Sequence, residues 1–141
     1  MSQAQFLVDT SALVRLLRQP RLQAEWVQQI HAGLVATCAI TELELLYTVR
    51  SKADRNEQAA LLRETFSWVV MPDRVFERAL EVQFALTERG TWRSAGPADL
   101  LLAAAAEAHG LIVLHYDADF TEVAEVTSQP MRWVADPGSI D

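Results

Sequence analysis

A chain of 141 residues, half of them hydrophobic and 22% charged, is the size of one domain with its own core, which excludes a disordered or low-complexity protein. Twelve basic residues against nineteen acidic ones leave a net charge of −7, the opposite of what general phosphate binding selects. The single cysteine, Cys38, excludes an intrachain disulfide framework; no apolar run reaches the ~20 residues of a membrane span, and the N-terminus lacks a signal-peptide pattern, so a cytosolic protein is expected.

Phe6-Leu7-Val8 reads as a first strand that stops at Asp9-Thr10-Ser11, residues that favour helix N-caps. Ala12, Leu13, Leu16 and Leu17 follow at helical spacing until Pro20, and a second helix over Leu22 to Ile30 ends at Gly33. Leu34-Val35-Ala36 is a second strand. Thr41-Glu42-Leu43-Glu44 has capping-box spacing and predicts a helix carrying Leu43, Leu45, Leu46 and Tyr47. After a polar break from Arg50 to Asn56, Asp54 and Glu57 suggest another helix start, and Trp68-Val69-Val70-Met71 reads as a third strand closed by Pro72.

Val75 to Glu88 is amphipathic, with Phe76, Leu80 and Phe84 on one side, and Arg89 to Gly96 is a loop. Pro97 suits a first helical residue, which puts Asp99 in the first turn. Leu100 to Ala108 is apolar nearly all round and predicts a buried helix, ended by Gly110. Leu111-Ile112-Val113-Leu114 is a fourth strand running into His115-Tyr116-Asp117-Ala118-Asp119-Phe120, and Met131-Arg132-Trp133-Val134 reads as an edge strand. Unbroken apolar strands alternating with helices predict an α/β fold with a mostly parallel sheet between helices. One domain is expected over residues 1–135, with 136–141 a flexible tail.

In open parallel sheets, ligands bind beyond the carboxyl ends of the strands. Asp9 follows the first strand and Asp117 the fourth, while Glu42 and Asp99 fall in first turns of helices, where carboxylates are favoured. Four carboxylates can thus converge on one edge. Gathered alone they repel; Mg²⁺ or Mn²⁺ takes such hard oxygen donors and supports water attack on a phosphodiester. Each acid also has an ordinary reading as a cap, a turn residue or a solvated first-turn acid.

Other chemistries have less support. His31, His109 and His115 form no H-E-x-x-H pattern, no glycine-rich phosphate loop occurs, and no nucleophile-elbow sequence surrounds Ser11. Arg89, Trp92 and Arg93 form an arginine–aromatic loop able to contact RNA phosphate and stack on an unpaired base, and Arg15 is a further candidate RNA contact. Two other classes remain. A phosphoacceptor signalling domain also gathers acids around Mg²⁺ but wants a lysine, and Lys52, in a polar loop, is a poor candidate. A non-catalytic module could bind a basic partner through the acidic groove.

Leu7-Val8-Asp9-Thr10-Ser11-Ala12-Leu13 resembles the opening motif of PIN-domain ribonucleases, and Thr41-Glu42-Leu43-Glu44-Leu45-Leu46-Tyr47 their second acidic motif. Pro97-Ala98-Asp99-Leu100-Leu101-Leu102-Ala103-Ala104 with His115-Tyr116-Asp117-Ala118-Asp119-Phe120 resembles the paired C-terminal motifs of VapC toxins. The match runs in order across nearly the whole chain. The resemblance implies a PIN-like three-layer α/β/α sandwich around a sheet of about five strands. It further implies a Mg²⁺- or Mn²⁺-dependent endoribonuclease, the toxin of a toxin–antitoxin pair, acting on tRNA, rRNA or mRNA. Asp9, Glu42, Asp99 and Asp117 match the acidic quartet, Asp119 a further acid that assists the metal, and Thr10 or Ser11 a supporting hydroxyl. A homodimer and a cognate VapB-like antitoxin, whose C-terminal segment enters the active-site groove, are implied as well. Water as nucleophile leaves 5′-phosphate and 3′-hydroxyl ends.

Overall fold

A computed structural model describes residues 3–141. Met1 and Ser2, which belong to the expected 1–135 domain and to the reading of the N-terminus, lie outside the described residues. The elements run β1 (Phe6–Val8), α1 (Thr10–Arg18), α2 (Pro20–His31), β2 (Val35–Thr37), α3 (Ala39–Tyr47) and α4 (Lys52–Thr65). They continue with β3 (Ser67–Trp68), α5 (Val75–Glu88), α6 (Pro97–His109), β4 (Ile112–His115), α7 (Asp119–Thr127) and β5 (Met131–Trp133).

β1 is central. It pairs in parallel with β2 on one side and β4 on the other, and β3 and β5 complete a five-stranded, all-parallel sheet in the order β3-β2-β1-β4-β5. Every residue of β1 and β2 is buried, because a strand covered on both faces leaves no side for water. Alternation along the strands divides the core in two. Phe6, Val8, Val35 and Leu114 pack with Leu13, Leu16, Trp26 and Leu62 from the early helices. Leu7, Ala36 and Val113 face the other way, onto Val82, Leu86, Leu102, Ala105 and Phe120. A sheet between two helical layers is the expected three-layer sandwich.

Local chemistry sets the ends of several elements. Pro20 opens α2, where its missing N–H costs nothing. Gly110 ends α6 at φ +69°, a backbone conformation other residues adopt only with strain. Arg78 clamps α5 to α6 through two hydrogen bonds to Glu107, of 2.6 and 3.0 Å, in the two-pronged geometry that suits a guanidinium and a carboxylate.

The structure departs from the expected elements at several places, among them α4, which begins at Lys52 inside the expected polar break. α3 begins at Ala39 with Cys38 as its N-cap, two residues before Thr41, so Thr41 and Glu44 do not cap it. Thr41 instead donates its hydroxyl to Val8 O at 3.0 Å, tying α3 to the end of β1. β3 is shorter and earlier than Trp68–Met71, because only Ser67 and Trp68 pair with β2 and Val70 is already exposed at the sheet edge. α5 has the expected span, but its buried side is Val75, Ala79, Val82 and Leu86; Phe76, Leu80 and Phe84 face solvent, each about two-thirds exposed. Residues 136–141, expected as a tail, make contacts with the domain: the Tyr116 hydroxyl donates to Ile140 O at 3.0 Å and Arg15 Nε to Asp141 O at 2.7 Å.

Leu7 lies fully buried in the central strand. Leu7→Ala should cost roughly 2–5 kcal/mol, from lost burial and the cavity left behind. A lower urea midpoint with an unchanged slope is the expected result.

Candidate active site

The chain runs from β1 outward to β2 and β3, then returns to lay β4 on the opposite side of β1. That makes the β1–β4 boundary a topological switch point, where the two following loops diverge and leave a crevice at the carboxyl ends. Asp9 follows β1 directly and Asp117 lies two residues past β4. Both therefore stand at the carboxyl end of the sheet, on either side of the switch point.

Asp9 is almost fully buried, 3% exposed, and caps α1. Its Oδ2 accepts hydrogen bonds from the Ser11 N–H (2.9 Å) and the Ser11 hydroxyl (2.5 Å). Ser11 Oγ in turn accepts the Tyr116 N–H at 2.9 Å, which links the loops after β1 and β4 through one hydroxyl. Burial pushes the Asp9 carboxyl up and the charge of Glu44 adds to this, while the Ser11 hydrogen bonds pull it down.

Asp99 enters from the first turn of α6, where its Oδ2 accepts the Gly96 N–H at 3.2 Å. Its carboxyl is pushed up to about 6, first by burial and next by the charge of Asp9, with Asp117 and Glu44 adding smaller amounts. Asp99 thus feels three other acids at once. Asp117 is held by its own turn: Oδ1 accepts the Asp119 N–H at 2.9 Å, and its N–H donates to His115 Nδ1 at 3.2 Å. Burial between Phe120 and Trp133 lowers His115 to about 4, so the neutral ring accepts that hydrogen bond. Asp119 lies one step further out, and its carboxyl is raised by burial, then by Asp117.

The fourth acid is not the expected one. Glu42 turns away from Asp9 and faces Arg63 of α4, 3.5 Å from its Nη2. Glu44 is the residue beside the site: Thr10 Oγ1 donates to its Oε1 at 2.7 Å, and its charge acts on both Asp9 and Asp99. Residues two apart on a helix point to opposite sides, so Glu42 and Glu44 cannot both face the crevice. Thr41, Glu44 and Leu45 share a face, and Thr41 and Leu45 are buried. The i, i+3 relation of Thr41 to Glu44 is in the sequence, but capping-box spacing gives those two residues a different role there.

The remaining candidates divide. Thr10 and Ser11 both reach the site, each holding a different carboxylate. Arg15 does not point outward: it donates to Ser11 O at 2.8 Å and lies over the Tyr116 ring, 4.6 Å from its centroid. Trp92 and Arg93 come from the loop before α6 and line a cavity with Asp119, whereas Arg89 ends α5 outside that lining. Lys52 opens α4 and is exposed.

Four carboxylates are hard oxygen donors of the kind Mg²⁺ and Mn²⁺ select. Among the described residues, no three acidic, histidine or cysteine side chains already close around one point as a cage. Mg²⁺ does not require that, because it keeps several waters and takes one or two carboxylates directly. The raised Asp99 carboxyl is in keeping with this donor set, since a bound cation would lower it.

A central parallel sheet with acids gathered at its switch point defines an α/β protein with an acidic crevice, and sequence relatives give its family. The PIN domain model matches residues 6–126. Ribonuclease VapC21 of Mycobacterium tuberculosis is 40% identical over 134 residues, covering 95% of this chain and 96% of that protein. Ribonuclease VapC51 of the same organism is 40% identical over 136 residues, covering 96% and 97%. A DNA-bound VapBC structure from Salmonella typhimurium shares the fold at a TM-score of 0.73 and 16% identity, covering 94% of this chain and all of that one. The chain belongs to the PIN-domain family, in the group that contains the VapC ribonucleases. Among the described residues, no helix is long and apolar enough to cross a membrane.

Raising the Asp99 carboxyl from 3.8 to about 6 means the fold favours its protonated form, so this contribution to stability is present below pH 4 and is lost as pH rises through 6. His115 acts in the opposite sense, adding stability as pH rises through the same window. Comparing thermal melts of the metal-free wild type and Asp99→Asn isolates the first effect. The variant should gain in melting temperature relative to wild type between pH 4 and 7, and the gain should shrink when Mg²⁺ is added.

Proposed function

We propose that this chain is a VapC-type endoribonuclease that hydrolyses RNA with a divalent metal ion, Mg²⁺ or Mn²⁺. The observation that carries the reading is the grouping of Asp9, Glu44, Asp99 and Asp117 at the carboxyl end of the sheet, in a chain 40% identical to ribonucleases along nearly its whole length. Asp9, Glu44, Asp99 and Asp117 would hold the ion, with Asp119 assisting from the next position. When bound, such an ion supplies Lewis-acid polarisation of a phosphoryl oxygen and activation of water.

The chain's own groups do the rest. Ser11 and Thr10 hold Asp9 and Glu44 in place, each through one carboxylate oxygen. Water adds its oxygen to phosphorus, and its proton passes to a carboxylate of the group. Asp99, which stands in the first turn of α6 beside Asp9, is the carboxylate we assign to that task. The bond from phosphorus to the 3′ oxygen breaks, and that oxygen leaves as a hydroxyl with a proton. The ends are therefore 5′-phosphate and 3′-hydroxyl. A net charge of −7 is compatible with an RNA substrate because two divalent ions at this site would take it to −3.

A VapB-like antitoxin is the proposed partner, its C-terminal segment entering the active-site groove, and an RNA substrate favours a cytoplasmic setting. The homodimer contact we assign to the exposed stripe Phe76, Leu80 and Phe84, which recurs every fourth residue of α5 and so forms a continuous apolar surface.

Replacing Asp9 or Glu44 by the matching amide should lower cleavage of single-stranded RNA at least a hundredfold in Mg²⁺, whereas Glu42→Gln should change it less than threefold. Cleavage by Asp9→Asn at the wild-type rate would sink the assignment; a large loss for Glu42→Gln with little change for Glu44→Gln would return the fourth position to Glu42. Phe84→Glu should convert a dimer into a monomer, read by light scattering on a sizing column.

A further inference from the structure

The loop between α5 and α6 faces the first turn of α7 across a cavity of about 440 Å³, within the roughly 300–1,000 Å³ typical of small-ligand sites. Trp92 and Arg93 line the loop side, and Asp119 and Glu122 line the helix side. Trp92 is 46% exposed, and the Arg93 guanidinium carbon lies 5.8 Å from the centre of its ring. The cavity adjoins the acidic crevice, since Asp119 N–H is bonded to Asp117 Oδ1.

The lining selects its occupant. Two carboxylates on one wall repel a phosphate and accept N–H donors. Arg93 on the other wall disfavours a cation. A half-exposed indole offers a stacking platform for a flat ring, so the fitting ligand is flat, uncharged and rich in N–H groups. An unpaired nucleobase meets all three conditions. Guanine alone carries two adjacent donors, N1–H and the N2 amino group, that one carboxylate can accept as a pair. Adenine and cytosine place an acceptor nitrogen beside their single amino group, and uracil sets its one N–H between two carbonyls. Glu122 is the better reader of the two acids. Asp119 is drawn toward Asp117, while the Glu122 charge opposes Asp119 and, among the described residues, is paired with no cation.

We infer that this cavity is a guanine subsite for single-stranded RNA beside the cleaved bond, the base stacking on Trp92 and pairing its Watson–Crick edge with Glu122, with Arg93 meeting the backbone phosphate at the rim. The inference rests on the ribonuclease reading above, which it extends to the choice of cleavage site. Binding separates the two. In the cleavage-deficient Asp9→Asn protein without metal, a fluorescein-labelled hexauridine and its counterpart carrying one guanosine are titrated and followed by anisotropy.

The guanosine is expected to tighten binding on the order of tenfold, the discrimination of one good bidentate base contact. Adding Glu122→Gln should erase the difference while hexauridine binding stays the same. Trp92→Ala should weaken the guanosine oligonucleotide and Trp92→Phe should restore it, which distinguishes stacking from a folding defect. Equal affinity for the two oligonucleotides, or a preference that survives Glu122→Gln, overturns the subsite. If the wild type cuts RNA in Mg²⁺ with no guanine enriched near the cut, the subsite falls and the ribonuclease reading stands. A guanosine preference in a protein that never cuts RNA supports the subsite and overturns the ribonuclease reading.

Discussion

The rest of this structure is arranged around one constraint, the burial of carboxylates at the end of a parallel sheet, where they also repel one another. Burial is the larger cost of ionising Asp9 and Asp99, and at Asp99 the charges of Asp9, Asp117 and Glu44 add to it. Folding holds these groups where they would not gather by themselves. Stabilising interactions elsewhere, chiefly the two hydrophobic clusters on either face of the sheet, must offset that cost. Strain of this kind marks a place where a positive ligand is expected, and the ligand then contributes stability as well as chemistry.

Short hydroxyl side chains keep the acids in register. Ser11 joins Asp9 to the backbone after β4, Thr10 joins α1 to Glu44, and Thr41 joins α3 to the last residue of β1. Three elements far apart in sequence are thereby fixed to one another within a hydrogen bond's tolerance. His115 extends the set on the opposite side of the crevice. Packed between Phe120 and Trp133, it stays neutral and receives the Asp117 N–H, so an aromatic cluster in the core orients a loop at the surface. Metal sites and phosphoryl chemistry are sensitive to displacements of an ångström or less, which makes these contacts part of the proposed chemistry and not only of the fold.

The helical layers divide the outward tasks. α5 buries its small and branched residues against α6 and turns Phe76, Leu80 and Phe84 outward, the reverse of what residue size alone suggests. The α6 helix carries the buried run Ala103 to Ala106, small residues that suit its close packing between the sheet and neighbouring helices. The loop between these two helices then hangs over the first turn of α7, bringing Trp92 to the edge of the acidic site.

Much of this was legible in the residue order. Apolar runs of three or four residues mark buried strands, Pro20, Gly33, Pro97 and Gly110 mark helix ends, and acids directly after strands mark the crevice, because these signals depend on local backbone chemistry and on burial of whole elements. Glu42 against Glu44, the outward face of α5, the early end of β3 and the docking of residues 136–141 belong to a different class. Each is a choice between sides of an element, or between partners distant in the chain, that local pattern leaves open. Helical spacing states that two glutamates two residues apart must diverge, and only the packing of α3 against α1 and the end of β1 decides which of them meets Asp9. Sequence by itself determined the class of fold and the presence of an acidic centre; the tertiary structure decided its membership, because orientation is settled by contacts and not by composition.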